Sequence, residues 1–272
     1  MKSEIYYKNP KTILNKATGF LSGYTHSLNP YTGCSFACSY CYVRQMPVSL
    51  FRSGDWGEWV DIKKNAAELL RNELQKAKKK GKVTIFMSSS TDPYQPIESK
   101  ERVTRSLLES MLEVPPDFLF VQTRSPLVKR DIDLLSQFND KVRVSMTIET
   151  DEENIRKYFT PEAPPIQARL KTLEVLAEAG IPTQATIAPL LPSSKDFPIK
   201  LSTVVNRICI DDYFMGDGSG GKRTTRLGIA TKYDELGLEE GYSTTAYKIV
   251  YERFKQYFSD NQIYISQKGF EP

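Results

Sequence analysis

The sequence predicts an α/β fold in which helices cover a parallel sheet. Short apolar runs rich in β-branched and aromatic residues alternate along the chain with longer stretches of helical spacing. Because strands alternate with helices and no internal repeat is present, consecutive strands are expected to be joined by right-handed βαβ crossovers. Periodicity alone leaves open whether this sheet is flat or closed into a barrel.

The elements follow in order. Residues 1–23 show no clear periodicity and are interpreted as an N-terminal strap, and residues 46–59 as an irregular connection. Buried strands are predicted at 83–87, 118–123, 142–148, 183–188 and 204–210. Helices are predicted at 61–80, 103–112, 127–138 and 166–177, with a last helix after Ser243 and a short strand at 263–265.

The glycine-rich stretch 215–221 invites a nucleotide-binding interpretation, which its context does not support. Arg223 stands where a P-loop needs Ser or Thr, and no long apolar helix follows immediately. We interpret this stretch as a mobile surface loop.

Composition narrows the functional class without naming it. The 272 residues suit one large domain or a domain with an extension, and no apolar run reaches membrane-spanning length. Four cysteines, three of them clustered, agree with a reducing compartment, so a cytoplasmic location is expected. The net charge of +4 permits a polyanionic partner but does not indicate one.

The clustered thiols are Cys34, Cys38 and Cys41, spaced Cys-x3-Cys-x2-Cys within the stretch NPYTGCSFACSYCY. Structural zinc would need a fourth, distant ligand, either His26 or Cys209. A thioredoxin-type pair of the last two thiols would leave the first unexplained. A four-iron cluster on three thiolates would keep one iron open for a ligand.

This spacing, with an aromatic residue before the last cysteine, resembles the signature of the radical S-adenosylmethionine (radical SAM) enzymes. The wording NPYTGC followed by CSYCY is similar to the spore photoproduct lyase-related proteins within them. The resemblance implies a partial (β/α)6 barrel over residues 24–212 and a C-terminal extension over 213–272. It also implies that the three cysteines hold a [4Fe-4S] cluster and that S-adenosylmethionine (SAM) binds its open iron and is cleaved reductively.

The resemblance implies further cofactor contacts at the ends of the strands. The segment after the strand at 83–87 would meet the SAM amino group, hydroxyls of the strand at 142–148 its ribose or carboxylate, and the end of the strand at 183–188 its adenine. Arg169 would pair with the SAM carboxylate. The implied cofactor-binding residues are Tyr40, Ser89, Ser90, Thr91, Asp92, Ser145, Thr147, Arg169 and Ala188.

The substrate is less determined. Similarity to spore photoproduct lyase suggests repair of a thymine lesion in DNA, with a cysteine as hydrogen donor, and the spare thiol here is Cys209. That thiol falls on a predicted strand, and no hairpin signal follows it, so we expect a substrate other than duplex DNA. Nucleic acid remains a candidate partner, beside a one-electron reductant such as flavodoxin or ferredoxin. The alternative is a non-catalytic iron–sulfur or zinc-binding module.

Overall fold

The computed structural model describes residues 3–272 and contains one large and one small sheet. The strands are β1 (Glu4–Lys8), β2 (Leu14–Lys16), β3 (His26–Leu28), β4 (Tyr31–Thr32), β5 (Trp59–Lys63), β6 (Thr84–Met87), β7 (Phe118–Thr123), β8 (Val142–Thr147), β9 (Thr183–Ile187), β10 (Ile208–Ile210) and β11 (Ile263–Ile265). The helices are α1 (Pro47–Leu50), α2 (Ala66–Lys78), α3 (Glu98–Glu101), α4 (Val103–Glu113), α5 (Ile132–Leu135), α6 (Glu153–Phe159), α7 (Ile166–Glu178), α8 (Phe197–Ser202), α9 (Lys222–Arg226), α10 (Ile229–Asp234) and α11 (Ala246–Phe254).

The large sheet has the order β11-β10-β9-β8-β7-β6-β3-β2. Every neighbouring pair from β11 to β3 is parallel, and only β2 runs antiparallel, against β3. The inner strands are buried on both faces, as expected for a parallel sheet covered by helices. The predicted α/β fold is confirmed, and the short strand predicted at 263–265 is the edge strand β11.

Two short 3-10 segments bridge the two edges of this sheet. Gly19–Leu21 and Ser266–Phe270 meet where the rings of Phe20 and Phe270 lie 5.5 Å apart. Inside, Phe86 and Phe120 stack at 5.0 Å, and Phe270 packs against both. The curved sheet therefore encloses an aromatic layer, as a partial barrel does.

Two predicted element boundaries were wrong, the start of the helix at 61–80 and the start of the strand at 204–210. The segment predicted as a strap contains β1, which pairs with β5 in the small sheet β1-β5-β4. Residues 61–63, predicted as the start of a helix, belong to β5. The side chains of Trp59, Val60 and Ile62 are buried along this strand, and a strand buries them where the predicted helix would not. The strand predicted at 204–210 is limited to Ile208–Ile210.

The predicted surface loop at residues 215–221 exposes Gly218 and Gly220, but a buried side chain anchors it to the protein. Asp217 is buried, and its carboxylate accepts hydrogen bonds from the N–H groups of Ser219 and Gly221. A Cβ on Gly216 would stand 2.3 Å from a carboxylate oxygen of Asp211, so this backbone is packed tightly against the end of β10. Within residues 3–272 no helix is both long and apolar enough to cross a membrane.

Candidate active site

A cavity of about 260 Å³ opens at the C-terminal ends of the parallel strands, where α/β proteins place their sites. The loop that carries the clustered cysteines forms part of its wall. Most of the predicted cofactor-binding and cluster-binding residues line it: Cys34, Cys38, Tyr40, Cys41, Ser89, Ser90, Thr91, Asp92, Thr147 and Ala188. Ser145, Arg169 and Cys209 do not.

The cysteine loop is held by close backbone packing. Gly33 has φ +88°, and a Cβ there would lie 2.4 Å from the carbonyl oxygen of Trp59. Ala37 also has a positive φ, and its Cβ faces the backbone of Gly57 so closely that an added Cβ would stand 2.4 Å away. The Arg44 guanidinium donates to the carbonyl oxygens of Ala37 and Cys38 at 2.6 and 2.9 Å. The turn between the cysteines is therefore fixed before any ligand binds.

The three thiols fit a [4Fe-4S] cluster. All are free and line one cavity, and burial raises the pKa of Cys34, Cys38 and Cys41. Among the described residues no three metal-ligating side chains converge on a single ion. A cluster does not need such convergence, because its cysteine ligands bind different irons. Burial disfavours the charged thiolates, and positively charged iron bound to the sulfurs would remove that cost.

The segment after β6 is tied to the cysteine loop. Thr91 Oγ1 donates to the carbonyl oxygen of Gly33 at 2.6 Å, and the Tyr42 hydroxyl donates to that of Ser89. Ser88 has φ +77° and lines the cavity, and its buried hydroxyl has no hydrogen-bond partner among residues 3–272. The carboxylate of Asp92 accepts from the backbone N–H of Arg124 at 2.8 Å. Because it also accepts from neighbouring groups, Asp92 anchors this segment.

A buried carboxylate, Glu149, connects the cavity wall to the sheet. One oxygen accepts from Arg124 and from the Tyr40 hydroxyl, both at 2.5 Å, and the other accepts from Arg169 at 2.6 Å. Burial alone would raise the pKa of Glu149, but the two guanidiniums outweigh it and lower the pKa to about 2. Glu149 is therefore ionised at neutral pH.

This network changes the position expected for Arg169. Its side chain is fully buried beneath the cavity wall, where it donates to Glu149 and to the carbonyl oxygen of Thr147. Helix α7 directs it toward the sheet, so it does not face the cavity as the sequence suggested. Arg124, which the sequence analysis missed, is the cation on the wall.

Two other predicted residues also lie behind the wall. The Ser145 hydroxyl is buried and shares a 2.5 Å hydrogen bond with Thr186, which lines the cavity in its place. Cys209 is fully buried in the aromatic layer, with its thiol 3.5 Å from the carbonyl oxygen of Ser266. A Cβ on Gly269 would approach that thiol to 2.3 Å, so the C-terminal segment covers it.

Sequence reasoning missed several cavity residues besides Arg124. Their shared signal is position, since each lies within or just after the C-terminal end of a predicted strand. They are Gln122, Thr186, Asp211, Asp212 and Tyr213.

Comparisons with known sequences agree with this geometry. A sequence model described as the radical SAM superfamily matches residues 28–197. An uncharacterized protein of Methanocaldococcus jannaschii is 36% identical over 176 residues, which are 65% of this chain and 64% of that protein. A Pseudomonas phage protein named radical SAM Nalpha-GlyT isomerase is 27% identical over 164 residues, 60% of this chain and 32% of that protein. The chain thus spans less than two thirds of these relatives.

Solved structures share the fold. A spore photoproduct lyase mutant superposes with a TM-score of 0.68 at 16% identity, covering 96% of this chain and 81% of that one. The same enzyme complexed with dinucleoside spore photoproduct gives 0.65 at 16% identity with the same coverage. SuiB of Streptococcus suis bound to its precursor peptide gives 0.52 at 15% identity, covering 82% of this chain and 50% of that one. Since the family's sequence model covers more than half of the chain, from before the cysteine loop through β9, the chain belongs to the radical SAM superfamily.

Proposed function

We propose that this protein cleaves SAM reductively at a [4Fe-4S] cluster held by Cys34, Cys38 and Cys41. The observation that carries the proposal is that these thiols line the same cavity as the segment after β6. When bound, the cluster and SAM supply one-electron cleavage to methionine and a 5'-deoxyadenosyl radical, which abstracts hydrogen from a substrate. The protein's own residues then have to orient the cofactors and exclude water.

We assign the polar ends of SAM to groups whose hydrogen-bonding capacity is unused. The hydroxyl of Ser88 and the amide oxygen of Gln122, both in cavity residues, have no hydrogen-bond partner in the described part of the chain and could accept from an amino group that reaches them. Arg124 is the cation that meets a carboxylate in the cavity, and Glu149 keeps its guanidinium in place. Arg169 then acts through Glu149 as a positioning residue.

The test begins with the cofactors. Anaerobic reconstitution should give about four irons and four sulfides per chain. With a strong one-electron reductant, or with flavodoxin or ferredoxin as partner, the protein should convert SAM to 5'-deoxyadenosine. Alanine at any of the three cysteines should abolish both results. Stoichiometric zinc in anaerobically purified protein, or absence of 5'-deoxyadenosine under every reducing condition, would refute the proposal in favour of a binding module.

For the substrate, we propose that it is not a lesion in duplex DNA, although spore photoproduct lyase has the same fold. Such an enzyme must extrude its lesion and wedge the duplex. Here the residues after β10 fold over the cavity, and the thiol of Cys209 does not line it. The test incubates reduced enzyme and SAM with DNA that contains spore photoproduct. Restored thymines would contradict the proposal.

A further inference from the structure

Three aspartates line the cavity where the chain leaves β10, and they differ in how their oxygens are used. Asp211, Asp212 and Asp217 are 3%, 5% and 4% exposed. Asp217 is satisfied by the N–H groups of its own loop, including that of Gly221 at 3.0 Å. Asp211 accepts from the N–H of Asp212 at 3.0 Å. These two carboxylates therefore shape the loop.

Asp212 differs because one of its two carboxylate oxygens accepts no hydrogen bond from the described residues. Its Oδ1 accepts from the N–H groups of Phe214 and Met215 at 2.8 and 2.7 Å. Its Oδ2 is buried and has no hydrogen-bond partner within the described part of the chain. An unsatisfied buried carboxylate oxygen is costly, and folded proteins rarely keep one without a use. The free oxygen belongs to a residue of the cavity wall, and a ligand donor that reaches it would satisfy it.

The charge of the cavity indicates what kind of donor this is. Arg124 is the one cation among the described residues that line the cavity, and Glu149 already binds it. Burial raises the pKa of Asp212, and nearby Asp217 raises it further, against the lowering by the N–H groups that Asp212 binds. A positive ligand beside Asp212 relieves both costs, whereas a phosphate or carboxylate at that position would add to them.

Two further observations bear on which ligand Asp212 meets. Asp212 lies beyond residues 28–197, the stretch matched by the superfamily. Aromatic rings share the same cavity, namely Tyr42, Trp56 and Tyr213, and such rings attract ammonium and guanidinium groups.

We propose that Asp212 recognises the substrate by binding a cationic nitrogen, an ammonium or guanidinium group, through its free carboxylate oxygen. This deepens the proposed function and rests on it. The substrate class is accordingly a compound that carries a basic nitrogen near the carbon from which hydrogen is abstracted.

The experiment uses two aromatic probes of similar size and opposite charge, benzylammonium and benzoate. Each is titrated calorimetrically into anaerobic, reconstituted enzyme saturated with SAM. The wild type should bind benzylammonium at least about tenfold more tightly than benzoate, and Asp212→Asn should remove that preference. SAM affinity should stay within about twofold in this variant. Asp234→Asn, an exposed position on α10 with the same charge change, should alter neither affinity.

Each outcome decides the proposal. Equal binding of both probes by the wild type overturns it, and this readout holds even if Asp212→Asn fails to reconstitute. Retained selectivity in Asp212→Asn overturns it too, as does a loss of SAM affinity in that variant, which would assign Asp212 to the cofactor. Wild-type enzyme that selects benzylammonium through Asp212 but never forms 5'-deoxyadenosine supports this inference and refutes only the proposed function.

Discussion

Replacing Glu149 by glutamine should destabilise the protein more than any other single removal of a charge in the wall network. Glutamine keeps the shape of the side chain but removes the negative charge between Arg124 and Arg169. Two guanidiniums would then share a buried site with no counter-ion. Leaving a buried charge unpaired in this way typically costs about 3–5 kcal/mol.

The pKa of Glu149 gives a second estimate of the stability that its negative charge contributes. The pKa of Glu149 falls from the ordinary value of 4.5 to about 2 on folding. That difference corresponds to roughly 3 kcal/mol of stability, in agreement with the first figure. Since the folded pKa is the lower one, this stability is fully present above pH 4.5 and is lost as the pH falls through 2. The difference in the free energy of unfolding between wild type and Glu149→Gln should therefore fall by about 2 kcal/mol between pH 7 and pH 3.

Urea unfolding of the reduced, metal-free protein, followed by circular dichroism at several pH values, measures both the loss of stability in Glu149→Gln and its change with pH. The matched control is Glu174→Gln, which breaks the exposed pair with Lys171 on α7 and should cost well under about 1 kcal/mol. Arg169→Met should cost less than Glu149→Gln, because Arg124 and Tyr40 still hold the carboxylate. A Glu149→Gln variant within about 0.5 kcal/mol of the wild type at pH 7 would refute the reasoning.

Two further predictions concern the cysteine loop and the buried thiol. Gly57→Ala should displace Ala37 and reduce the iron bound on reconstitution by more than about half. The control is Gly54→Ala, also at positive φ, where the added Cβ would lie 3.6 Å from the nearest atom and the iron content should be retained. Equal iron contents in the two variants would show that the contact between Gly57 and Ala37 does not position the cysteines. Cys209→Ala should keep the full iron content and lose about 1 kcal/mol of stability in urea unfolding. Loss of iron in that variant would instead make Cys209 a ligand.

Local patterns in the sequence were sufficient for the α/β fold class and for the cysteines of the candidate site. Strand and helix periods depend on which face of each segment is buried, so the strands from β6 to β9 were predictable. The three thiols share one short loop, and their spacing alone places them on one wall of the cavity. The segment after β6 was predictable too, because parallel strands present their C-terminal ends at the same edge.

Only the tertiary structure decided which charges meet. Arg124 and Arg169 are far apart in sequence, and only the packing of α7 beneath the end of β8 brings both to Glu149. The direction of a side chain on a helix follows from what that helix packs against, so the sequence could indicate an arginine but not its partner. The free oxygen of Asp212 has the same origin, since it depends on how the residues after β10 fold back and direct their N–H groups to the other oxygen. Spacing fixes local geometry, whereas the pairing of buried polar groups depends on contacts between distant segments, which no local pattern encodes.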